Sequence, residues 1–240
     1  MVGQETIRIA GAIIGASGAI GIAAPAFAHP DQAPSLAYCA AIPQQDLDFE
    51  WDGEKSFELP QDWSSFAAVS DTWMAVATKA GTTECVDLNW MFEGKDFEVH
   101  KDRFVGFNWI GYEAFGYMLV DRAGTGMVLD TGERPSFSPN GYRMAALQSS
   151  ESGYGGLEGF GVWYVYESGL KPIYLTSRVP DSMADWRIDR WEGDACLHIS
   201  AIPFSRIDDW EDLFKYDRDS FVSGDANGWA LTSGSKCPSY

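Results

Sequence analysis

Three groups of residues in this chain have types and spacings that could do chemistry. The first centres on His29, which follows Ala26-Phe27-Ala28, small residues at both positions a signal peptidase reads. A cut after Ala28 would put His29 at the new amino terminus. A terminal amine and its own imidazole then form a bidentate chelate, and imidazole suits copper. His100 and His198 are the other histidines and the candidates to complete such a site. The plainer reading is a loose terminal histidine.

The second group is Asp46-Leu47-Asp48-Phe49-Glu50-Trp51-Asp52-Gly53. Asp48, Glu50 and Asp52, followed by Gly53, have the spacing that opens a calcium loop, but the twelfth position is Leu59 rather than Glu. As a strand, the same alternation puts the acids on one solvated face and Leu47, Phe49 and Trp51 on the other. No cofactor is expected; calcium at Asp48, Glu50 and Asp52 and copper at His29 are the metal alternatives.

The third group is Cys39, Cys85, Cys196 and Cys237. An even number in an exported chain reads as two disulfides. Three pairings exist. Cys39–Cys85 with Cys196–Cys237 closes two loops of about 40 to 50 residues, each worth roughly 3 to 4 kcal/mol in the chain-entropy model. Cys39–Cys237, which would tie the two ends together, is the rival. No Cys-x-x-Cys pair points to zinc or redox chemistry.

No catalytic residue can be assigned. The chain after the leader has no Gly-x-Ser-x-Gly elbow and only three histidines for a Ser-His-Asp arrangement. Asp217, Asp219 and Asp225 form a further acidic group, but glycoside hydrolysis needs two carboxyls facing across a cleft. Trp51, Trp90, Trp109 and Trp229 stand near turn residues, where a tryptophan could serve as a sugar platform.

The elements that must position these residues begin after the leader. Ile9 to Ala24 is uncharged and built from Ile, Ala, Gly and Ser, and Pro25 ends it. We read residues 1–28 as a cleaved signal peptide, 29–37 as a flexible Pro-rich lead-in and 38–240 as one β-rich domain. The expected compartment is periplasmic or extracellular, with no membrane insertion once the leader is removed. The formal net charge of −18 repels phosphate backbones and so argues against nucleic-acid partners. Aromatic residues make up 14% of the chain, too many for a disordered protein.

Short runs rich in aromatic and β-branched residues, bounded by Gly, Asn, Asp or Pro, predict strands. They are residues 73–77, 104–110, 117–121, 127–129, 143–147, 161–166, 173–176 and 196–202. Asn140-Gly141, Glu192-Gly193-Asp194 and Asn227-Gly228 are turn signals between or beside them. The glycine-rich stretch 153–161 lacks the Lys and Ser/Thr of a phosphate loop and reads as a hairpin connection. One short helix is expected near 205–216, capped by Ser205, with Ile207, Trp210, Leu213 and Phe214 on one face.

The stretch Pro135-Ser136-Phe137-Ser138-Pro139-Asn140-Gly141-Tyr142-Arg143 resembles the repeat of bacterial periplasmic TolB-like, WD40-like β-propellers. There a Pro-x-Phe-Ser-Pro-Asp/Asn-Gly turn precedes a strand. The resemblance covers about residues 104–166. It implies an irregular small propeller of four or five blades at 40 to 50 residues each. A β-sandwich is the alternative architecture. Propellers host both binding and catalysis, so the implied function is coarse: an exported binding or interaction module for an unknown protein or glycan ligand. The alternative is a secreted hydrolase or carbohydrate-active enzyme using acidic residues in an aromatic-lined cleft.

Overall fold

The computed structural model describes residues 34–44, 54–148, 157, 159–176, 183–206, 213–225, 228–234 and 237. A short helix, α1 (Leu36–Ala40), opens it, with Ser35 as its cap. The strands follow: β1 (Ser56–Phe57), β2 (Ala67–Val69), β3 (Trp73–Ala77), β4 (Thr83–Asp87), β5 (Met91–His100), β6 (Phe104–Gly111), β7 (Ala114–Asp121) and β8 (Met127–Asp130). The second half holds β9 (Ser136–Phe137), β10 (Arg143–Gln148), β11 (Gly159–Tyr166), β12 (Gly169–Thr176), β13 (Met183–Trp191), β14 (Cys196–Pro203), β15 (Arg218–Asp225) and β16 (Gly228–Ser233).

The fold is all-β. Four open sheets follow one another along the chain: β2-β3-β4, then β5-β6-β7-β8 with β1 added in parallel to β5, then β9 to β12, then β13 to β16. Apart from β1, each is an antiparallel meander of consecutive strands.

Strand alternation explains how the sheets stack. In β6, Val105, Phe107 and Trp109 pack toward the first sheet, with Met74, Val76 and Val86. Phe104, one pleat away, joins Tyr117 and Leu119 against Met144, Ala146 and Trp163 of the third sheet. In β10 the same division recurs. Met144 and Ala146 face the second sheet, whereas Ala145 and Leu147 pack on Trp186, Leu197 and Ile199 of the fourth. The two middle sheets are thus buried on both faces. A one-residue register slip would exchange one core for the other, so register is tightly specified.

The eight strands expected from the sequence all form, with ends moved by a few residues. The Pro139-Asn140-Gly141 turn forms as well. Gly141 has φ +73°, its N–H donates to the Ser138 carbonyl at 2.8 Å, and Asn140 Oδ1 accepts from Tyr142 N at 2.8 Å. Phe137, just before it, lies between the second and third sheets.

The 205–216 region, where a helix is expected, is described only in part. Its described parts are the 3-10 turns Phe204–Arg206 and Leu213–Tyr216, and 207–212 lie outside the described residues. Among the described residues the α-helix is Leu36–Ala40, which begins at the end of the expected lead-in. It is held because Cys39 bonds Cys85 of β4 and packs on Trp73 and Ala75. The second disulfide joins Cys196 and Cys237. These pairings close loops of 46 and 41 residues with Cα–Cα distances of 5.6 and 6.2 Å, inside the range a disulfide spans. The Cys39–Cys237 alternative is thereby excluded.

Candidate functional site

Several residues picked out by sequence fall outside the described chain: His29, Asp48, Glu50, Asp52, Trp51 and Asn227. His100 ends β5 and His198 sits in β14, in different sheets. Among the described residues no group of three His, Cys, Asp or Glu is arranged to hold a metal ion. Of the described tryptophan candidates, Trp109 is packed away and Trp90 and Trp229 are half-buried. Trp109 is 1% exposed and lies edge-on to half-buried Trp90, with ring centroids 4.4 Å apart. Trp229 covers Gly224. Large apolar rings on pleated faces are drawn inward by the area they bury.

Three polar constellations remain, one within the fourth sheet and two on or beside the seams between sheets. The first is a ladder across β13, β14 and β15. His198 is buried, with Nε2 3.0 Å from Asp219 Oδ1 and Nδ1 3.2 Å from Asp189 Oδ2. Arg190 Nη1 also approaches Nδ1, at 2.9 Å. Buried Ser200 donates its hydroxyl to Asp189 Oδ1 at 3.0 Å, and Arg187 bridges Ser200 and Asp217. Serine, histidine and aspartate therefore meet, but the serine proton points to the carboxylate instead of the imidazole. A hydrolytic serine needs its base on its own hydroxyl. This ladder ties three strands together; it is not a nucleophile relay.

The second constellation is a cavity of about 250 Å³ between the second and third sheets. Phe104, Leu119, Pro135 and Phe137 line its apolar side, and Glu98, His100, Tyr117 and Arg134 its polar side. A β-bulge between Lys95 and Glu98, with Asp96 at φ +53°, sets Glu98 opposite Gly106. Tyr117 reaches over Gly106 and donates its hydroxyl to Glu98 Oε1 at 2.5 Å. Arg134 Nη2 takes Glu98 Oε2. His100 stacks on Phe137, with centroids 4.4 Å apart and planes 12° off parallel, and its buried Nε2 has no partner among the described residues.

Burial, together with the carboxylate of Glu98, pushes the Tyr117 phenol far above its ordinary value, so it is a donor and never a phenolate at neutral pH. Burial and then Lys101 lower His100, keeping it neutral. Both oxygens of Glu98 are engaged. The cavity can hold a small molecule, but it has one carboxylate and that one is occupied.

The third constellation is an open groove of about 450 Å³ where the seam between the third and fourth sheets runs out. Phe160 and Val162 of β11 are buried against the fourth sheet. Two residues further along the same face come Tyr164 and then Tyr166, which emerge beyond the core. Tyr166 is 48% exposed, Tyr142 from the turn is 67% exposed, and the Tyr164 and Tyr166 centroids lie 5.6 Å apart. Asn140, Arg143, Val165 and Glu167 complete the lining.

The groove floor is fixed. Arg143 donates to the Asp194 carbonyl at 2.6 Å, and its guanidinium lies over both Tyr164 (5.2 Å) and Trp229 (5.7 Å). Asp194 Oδ1 accepts from the Asn140 N–H at 3.0 Å. Asn140 Oδ1 in turn accepts from Ser138 Oγ at 2.9 Å. Loop, strand and neighbouring sheet thus hold one another. The signal for this site was present in the sequence: Tyr164 and Tyr166 alternate along an expected strand, so they share a face, and Tyr142 follows an expected turn.

Comparison with protein-family models, curated proteins and solved structures gave no match to this chain.

Proposed function

We propose that this protein is an exported binding module whose contact surface is the tyrosine groove. The observation that carries the reading is the pair of outward tyrosines, Tyr142 and Tyr166, standing on a floor already locked by Arg143 and Asp194. Exposed aromatic rings lose few rotamers on binding, and a preformed floor lowers the ordering cost of association. Export is supported by the leader pattern at residues 1–28 and by two disulfides, which persist in oxidising compartments. Among the described residues no helix is long and apolar enough to cross a membrane.

Four meander sheets stacked in chain order, with Phe137 between two of them, support reading the architecture as an irregular TolB-like propeller. The hydrolase alternative has less behind it. Each of the two cavities is lined by one carboxylate, Glu98 or Glu167, and the serine near His198 is turned away from it.

A thermal-shift panel of saccharides, peptides and small metabolites tests the reading. At least one ligand should raise the melting temperature of the wild type and fail to do so in the Tyr142→Ala/Tyr166→Ala double variant. A ligand that is consumed, with a new product mass, would favour the hydrolase instead.

A further inference from the structure

We infer that the tyrosine groove takes a neutral saccharide chain. This rests on the reading of the groove as the binding surface and names its ligand class. The exposed lining is mostly apolar ring surface, with hydrogen-bonding groups at its edges. Six of its seven residues carry a polar side chain, with three phenols, one amide, one guanidinium and one carboxylate; Val165 is the exception. Pyranose rings match that mixture. Their C–H faces lie on aromatic rings, and their equatorial hydroxyls both donate and accept along the ring edge. Glu167 offers only acceptors when ionised and the tyrosine hydroxyls offer both, which a ligand with many hydroxyls can satisfy together.

Two other ligand classes fit less well. A peptide adding itself as a strand needs a free edge, but β11 is paired on both sides by β10 and β12. A proline-rich peptide offers carbonyl acceptors and few donors, so it leaves the exposed Glu167 carboxylate without a hydrogen-bond donor. Charge then selects among saccharides. The chain carries −18 and Glu167 sits in the groove, so uronate-bearing or sulfated chains are repelled. The volume of about 450 Å³ lies in the range of small-ligand clefts, which fits a short stretch of a longer chain.

The experiment is calorimetric titration of the full protein with cellohexaose, maltohexaose, chitohexaose, an oligogalacturonate and a proline-rich decapeptide. At least one neutral hexasaccharide should bind, and the oligogalacturonate should not. Tyr142→Ala and Tyr166→Ala should each weaken that binding at least ten-fold at unchanged melting temperature. Tyr166→Phe should keep most of it, because the ring face is retained. Phe115→Ala, an exposed aromatic on the β6–β7 hairpin, should change nothing. Peptide binding that depends on Tyr166, without saccharide binding, would overturn the saccharide and leave the groove as the binding surface. Binding of either class that ignores both tyrosines, or no binding by either class, would overturn the groove itself.

Discussion

Tyr117 occupies the space that a side chain at Gly106 would need: a Cβ there would sit 2.0 Å from the phenol oxygen and 2.5 Å from Cζ. The glycine is a bare place on β6 over which a ring from β7 crosses to Glu98 on β5. Gly116 under Trp109 and Gly224 under Trp229 repeat the device. A Gly106→Ala variant should therefore lose about 1 to 3 kcal/mol by overpacking, read from urea unfolding. In a Tyr117→Leu background the same substitution should cost much less. Equal costs in both backgrounds would show that the ring is not what the glycine makes room for.

The Arg103–Asp121 pair should be the ion pair that matters most to stability. Asp121 is fully buried and accepts from Arg103 Nε and Nη2, both at 2.7 Å, and from the Ala123 N–H at 2.9 Å. Asp121→Ala leaves a mostly buried guanidinium without its partner, so a loss of about 3 to 5 kcal/mol is expected. The exposed Lys79–Asp102 pair is screened by water, and Lys79→Ala should change little. Denaturant midpoints of the two variants make the comparison.

His100 should make stability fall in acid. Burial, aided by Lys101 and Arg134 and opposed by Glu98, holds its folded value below the ordinary 6.5. As pH falls, the imidazole of the unfolded chain takes a proton first, which favours unfolding. The loss begins near 6.5 and continues down through the lowered folded value. Between about pH 7 and about pH 5 the wild type should lose more stability than His100→Gln. Equal losses would place the pH dependence elsewhere.

Why some of this was legible in the sequence and some was not has a physical cause in each case. Strands such as Trp73–Ala77 and Arg143–Gln148 were readable because their apolar runs end at turn residues and they pair without interruption. Met91–His100 and Met183–Trp191 were not. Each carries two register shifts and a positive-φ aspartate, Asp96 or Asp185, and a bulge breaks the period-two pattern that marks a strand. That same bulge in β5 places Glu98, so the residue hardest to anticipate lines a cavity. The short helix at Leu36–Ala40 depends on a disulfide partner 46 residues away, which no local pattern reports.

The Cys196–Cys237 bridge fixes the last described residue to the start of β14. A Cys196→Ser/Cys237→Ser variant frees a 41-residue loop in the unfolded chain. It should lose about 3 to 4 kcal/mol. Unfolding curves of the oxidised wild type and the variant measure it, and coincident curves would count against a closed bridge in the folded protein.

The binding surface itself is best tested by fluorine NMR on protein carrying 3-fluorotyrosine. The ten tyrosines are assigned by single Tyr→Phe substitutions. On addition of whichever ligand stabilises the protein, the signals of Tyr142, Tyr164 and Tyr166 should move together, while those of Tyr112 and Tyr117 stay in place. Movement at Tyr117 with the groove signals unchanged would put the ligand in the Glu98 cavity and contradict the assignment of the tyrosine groove.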